Sequence, residues 1–77
     1  MLQLHPQVSV RPEPFGALLY HFGTRRLSFL KDRRLLDVVQ RLDGSVSVED
    51  ALADVPVAER PAFRTALSTL ETTGMLT

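Results

Sequence analysis

Residues 16–42 read GALLYHFGTRRLSFLKDRRLLDVVQRL, and this stretch decides the fold. Its apolar positions change period at Asp32. From Ala17 to Phe22 the chain is rich in strand formers and bounded by glycine at both ends. Leu18, Tyr20 and Phe22 lie on one face of that strand; Ala17, Leu19 and His21 lie on the other. Gly23-Thr24-Arg25 reads as a hairpin turn, with Gly23 supplying the positive φ such turns need. Arg26 to Leu30 is the returning strand, with Leu27 and Phe29 on one face. Beyond Asp32 the apolar residues Leu35, Leu36, Val38, Val39 and Leu42 recur at helical spacing and predict a helix over 33–42. Asp32 suits its N-cap, and Gly44 suits its end.

The flanking segments extend this plan. Residues 1–7 form an N-terminal arm. Val8-Ser9-Val10-Arg11 alternates apolar and polar, as a half-buried strand does. Arg11-Pro12-Glu13-Pro14 then reads as a turn or edge bend, because proline cannot donate to a ladder. On the other side, Ser47 can cap a short helix over about 48–54, ending before Pro56. A third helix begins at 58–61 and runs to 73. Pro61 is tolerated in its first turn, and Phe63, Ala66, Leu67 and Leu70 form its buried face. Gly74 fits the left-handed position after it, and Met75-Leu76 fold back as a tail. The order βββααα predicts an α+β, winged-helix-like domain over residues 1–77, a three-stranded antiparallel sheet followed by three helices.

Composition narrows the function. The chain has 77 residues, of which 44% are hydrophobic and 23% charged, and it contains no cysteine. Disulfides, iron–sulfur ligation and thiol nucleophiles are excluded. Nine basic and nine acidic side chains cancel, so no global charge draws the chain to nucleic acid. The charges are segregated, however. Residues 25–41 carry Arg25, Arg26, Lys31, Arg33, Arg34 and Arg41 against Asp32 and Asp37, while residues 43–77 are acidic in balance. A dipolar chain of this kind suits an acidic partner, and the two halves can equally pair with each other. There is no export signal and no apolar run near the ~20 residues of a membrane span, so the expectation is a soluble, cytoplasmic protein with no membrane contact.

Catalytic candidates are few. His5 and His21 are the only imidazoles. His21 reads as a partly exposed strand histidine, and His5 as part of a turn. No carboxylates stand at zinc-ligand spacing around them, so no metal site is expected. No glycine-rich loop precedes a helix, so phosphate binding is unsupported. The expectation is a protein that is not an enzyme and holds no cofactor. The edge strand Arg26–Leu30 carries more information. Its outer backbone groups are open to another extended chain. Arg25, Arg26 and Lys31 can instead be gatekeepers against such pairing.

The N-terminal half then adds a resemblance. His5-Pro6-Gln7-Val8, Arg11-Pro12-Glu13-Pro14-Phe15-Gly16-Ala17, Tyr20-His21-Phe22-Gly23 and Arg25-Arg26-Leu27 resemble the mycofactocin biosynthesis peptide chaperones. Asp43-Gly44-Ser45-Val46-Ser47-Val48-Glu49-Asp50 is similar to the peptide chaperones of pyrroloquinoline-quinone biosynthesis. Both groups are RiPP recognition elements, small domains that bind the leader of a ribosomally made precursor peptide. The resemblance covers nearly the whole chain.

This resemblance implies a non-catalytic chaperone that binds an acidic leader by strand addition. It also implies a radical S-adenosylmethionine maturase as the partner that receives the peptide. In related domains the leader pairs with the third strand, in the cleft against the third helix. Carried onto this sequence, the strand contributes Arg25, Arg26, Leu27, Ser28, Phe29 and Leu30. The helix contributes Arg64, Leu67, Ser68 and Glu71, with Leu67 open to a core role instead. Two alternatives stand beside this reading: a winged-helix DNA-binding regulator, which the neutral charge opposes, and a structural module that forms a homodimer through the same edge.

Overall fold

A computed structural model describes residues 1–77. Three strands, β1 (Val8–Glu13), β2 (Gly16–His21) and β3 (Arg26–Leu30), form an antiparallel sheet in the order β1-β2-β3. Three helices follow: α1 (Arg33–Arg41), α2 (Val48–Ala51) and α3 (Arg60–Thr72), the last preceded by a 3-10 turn at Val57–Glu59. The fold is α+β, as the change of period at Asp32 predicts.

The core lies between the sheet and the helices. Ala17, Leu19 and Leu30 come from the sheet, and the α1 stripe Leu35, Leu36, Val38, Val39 and Leu42 is buried throughout. Phe63, Leu67 and Leu70 of α3, with Met75 and Leu76 of the tail, complete the same cluster. The caps fall where expected. An Asp32 carboxylate oxygen accepts from the Arg34 N–H at 2.8 Å, and Ser47 Oγ accepts from the Asp50 N–H at 3.1 Å. After α3, the N–H of Met75 donates to the Leu70 carbonyl at 2.8 Å and that of Gly74 to the Glu71 carbonyl at 3.1 Å. Together they make a Schellman turn, which Gly74 permits at φ 86°.

Four expectations need correction. First, β1 does not stop at Arg11 but continues through Pro12 to Glu13, and the turn is Pro14-Phe15 alone. Phe22 donates to the Gln7 carbonyl, so the bonded positions of β1 fall at Ser9, Arg11 and Glu13. Pro12 lies between them, with its nitrogen turned away from β2 on an open edge, where its missing N–H costs nothing. Second, the positive φ in the β2–β3 connection belongs to Arg25, at 59°, and not to Gly23. Gly23 is small for another reason: a Cβ there would strike the Gln7 side chain and the His21 ring.

Third, His21 is 4% exposed, not partly exposed. Its Nδ1 accepts from the N–H groups of Gly23 at 3.0 Å and Thr24 at 3.1 Å, so the ring closes the hairpin from beneath. The His5 ring packs on it at 4.3 Å between centroids. Fourth, α2 ends at Ala51, a single turn, because the chain breaks at Leu52–Val55 before Pro56.

The two ends of the chain pair with each other. Gln3 and Thr77 exchange backbone bonds of 3.0 and 2.8 Å, and His5 donates to the Met75 carbonyl at 2.9 Å. The tail is therefore held by the N-terminal arm, and β3 is left clear.

Candidate functional site

The register fixes which backbone groups of β3 face outward. In an antiparallel ladder, bonded and non-bonded pairs alternate. Since Tyr20 and Leu18 bond toward β1, it is Ala17, Leu19 and His21 that bond toward β3. Their partners are Leu30, Ser28 and Arg26. Leu27 and Phe29 sit at the intervening positions, so their N–H and C=O groups point away from β2. No other segment of the chain pairs with them.

Beside this edge runs an apolar groove of about 300 Å³. Leu27, Ser28, Phe29 and Leu30 border it on the strand side, Ala66, Thr69 and Leu70 on the α3 side, and Leu35 of α1 completes the lining. Gly16 helps to set this geometry. At φ 152° the start of β2 passes so close to the Leu30 carbonyl that a Cβ would collide with it.

Of the strand residues expected at the site, Leu27, Ser28, Phe29 and Leu30 border the groove; Arg25, Arg26 and the expected helix residues do not. Leu67 is 2% exposed and belongs to the core. Arg64 is drawn off by Glu49, with bonds of 3.0 and 2.7 Å that tie α2 to α3. Ser68 and Glu71 are exposed but do not line the groove. At 100° per residue, Ala66 and Thr69 flank the buried Phe63–Leu67–Leu70 stripe on one side, and Arg64, Ser68 and Glu71 flank it on the other. The sequence defines the stripe but not which flank meets β3. The available signal was residue size: Ala66 and Thr69 are small enough to leave a trough.

Charge is distributed unevenly around the site. Arg11, Arg34, Arg41 and Arg64 each pair with a carboxylate, and Arg60 bonds the carbonyls of Val55 and Ala53. Pairing with the Arg34 guanidinium holds the Glu59 and Asp32 carboxyls below their usual range, and Arg64 does the same to Glu49. The remaining cations, Arg25, Arg26, Lys31 and Arg33, pair with no carboxylate. They bracket β3 at both ends. No three His, Asp or Glu side chains come together in a way that could hold a metal ion, and no helix is long and apolar enough to cross a membrane.

A model of the peptide chaperone MftB family matches residues 1–77. The chain belongs to that family. It is 54% identical over 76 residues to the peptide chaperone MftB of Mycobacterium tuberculosis, covering 96% of this chain and 70% of that relative. The MftB of Mycobacterium ulcerans matches at the same identity and coverage. The MftB of Mycolicibacterium smegmatis is 50% identical over 76 residues, covering 96% of this chain and 74% of its own. No solved structure matches the chain. Membership of the MftB family supports a peptide-chaperone role, and the edge and groove are the part of the fold suited to it.

Proposed function

We propose that this MftB-family protein is a non-catalytic chaperone that binds the leader of the mycofactocin precursor peptide as a fourth strand on β3. The peptide backbone bonds the outward groups of Leu27 and Phe29, and alternate side chains enter the groove lined by Leu35, Ala66, Thr69 and Leu70. Ladder bonds supply affinity, and the groove supplies selectivity. Arg25, Arg26, Lys31 and Arg33 draw in an acidic leader and speed its encounter. The loaded chaperone then presents the peptide to a radical S-adenosylmethionine maturase in the cytoplasm.

The observation that carries this reading is the unpaired β3 edge lying directly beside an apolar groove. Leu27→Pro tests it. The substitution deletes an outward N–H and leaves the β2 ladder intact, because Leu27 is at a non-bonded position opposite Tyr20. Calorimetry with the leader peptide should show binding weakened at least tenfold, with the circular dichroism of the fold retained. Undiminished binding to the folded variant would place the peptide elsewhere.

A further inference from the structure

The groove does not account for the opposite face of the sheet. Three of the chain's four phenylalanines, Phe15, Phe22 and Phe29, are 48%, 61% and 60% exposed. They converge on the face turned away from the helices. Phe29 stands opposite Leu18, and Leu27, 59% exposed, stands opposite Tyr20. Phe15 approaches Phe29 at 6.5 Å and Phe22 meets Tyr20 edge-on at 5.0 Å between ring centroids. So much exposed aromatic surface on so small a chain marks an interaction surface, not incidental exposure.

The charges nearby indicate what covers it. Arg25 and Lys31 flank β3 with no carboxylate partner, and the one acid beside this face, Glu13, is already held by Arg11 at 2.8 Å. The acids without a cation, Asp37, Asp43, Asp50 and Glu71, belong to the helices and the loop between α1 and α2. A second copy applied face to face would therefore bring cations with nothing to meet them. A different protein, with an apolar patch rimmed by carboxylates, would meet both features.

We propose that this outer sheet face, which shares only Leu27 and Phe29 with the rim of the groove, is a second docking surface for a folded protein of that chemistry. A strand added to β3 turns every other side chain onto this face. The partner would then touch chaperone and peptide together and recognise the loaded state. For the partner's identity the inference rests on the function proposed above, so the purified radical S-adenosylmethionine maturase is the probe.

The test uses the full chain carrying Tyr20→Thr with Phe22→Ser, neither of which lines the groove. Affinity for the maturase, with and without leader peptide, should fall at least tenfold, and affinity for the peptide alone should stay within twofold. An unchanged maturase affinity would overturn the proposal. So would a joint loss of peptide and maturase binding in the folded variant. So would sedimentation equilibrium showing a wild-type dimer that the variant dissolves, since the face would then belong to a second copy. Peptide binding by the wild-type chain is measured first and on its own. Its failure would remove the function proposed above and leave the second surface to be judged by maturase binding without peptide.

Discussion

Leu27 lies opposite Tyr20 at a position where neither backbone bonds the other, so the Leu27 N–H and C=O project from the rim of the sheet. Phe29 repeats this arrangement two residues later, opposite Leu18. Two outward donor–acceptor pairs in a row, beside an apolar trough, make a template for an extended peptide.

The groove-facing flank of α3 can be separated from its other flank by substitution. Ala66→Glu places a charge in the trough and should weaken leader binding more than tenfold, with little change in melting temperature because Ala66 is half-buried on a helix. Ser68→Ala and Glu71→Ala, on the far flank, should stay within twofold. Titration calorimetry on the three variants checks both halves of the expectation.

The unpaired cations should act on rate more than on lifetime. Arg25→Ser with Arg26→Ser should slow association with an acidic leader several-fold at low salt and leave dissociation nearly unchanged. The difference should fade near 1 M salt, where charges are screened beyond ~3 Å. Stopped-flow kinetics across a salt series will show it.

The β2–β3 hairpin depends on one buried acceptor. His21→Leu would leave the Gly23 and Thr24 N–H groups without their partner and should cost about 2 kcal/mol. For a domain of this size that is a fall of roughly 10 °C in melting temperature. His21→Asn puts an acceptor oxygen in the place of Nδ1 and should recover part of the loss. Thermal denaturation followed by circular dichroism compares them.

Acid should loosen the helical layer first. Arg34 holds the Glu59 and Asp32 carboxyls low, and Arg64 holds Glu49 low. As pH falls, the unfolded chain therefore takes up protons before the folded one does. The stability these pairs provide is complete above the ordinary carboxylate range and is lost as pH drops through and below ~4. Melting temperature against pH should decline there, and Glu59→Gln should flatten the decline. All the carboxylates are exposed enough for salt to weaken the effect.

Much of the fold was legible in the sequence because local chemistry and tertiary packing agree. The shift of period at Asp32, the Asp32 and Ser47 caps, and Gly74 each specify their element without outside help. Pro12 misleads because a proline stops a central strand, while this strand is an open edge with the nitrogen facing out. The turn falls where expected, but its positive φ sits on Arg25 and not Gly23, because His21 Nδ1 accepts from the Gly23 and Thr24 N–H groups while its ring packs against His5 of the distant arm. Around the groove, the strand side followed from the order of the three strands, which leaves β3 at an edge. The helix side did not, because the rotation of α3 is set by how Phe63, Leu67 and Leu70 seat against sheet and tail. Residues Ala66 and Thr69 carry no chemistry that announces a groove; only their small size does.

Amide hydrogen exchange at single-residue resolution tests strand addition most directly. In the free chain the N–H groups of Leu27 and Phe29 should exchange quickly, while those of Ser28 and Leu30, bonded to β2, are slow. Saturating leader peptide should protect Leu27 and Phe29 strongly and change Ser28 and Leu30 little. Bound peptide that leaves Leu27 and Phe29 as unprotected as before would contradict pairing at this edge.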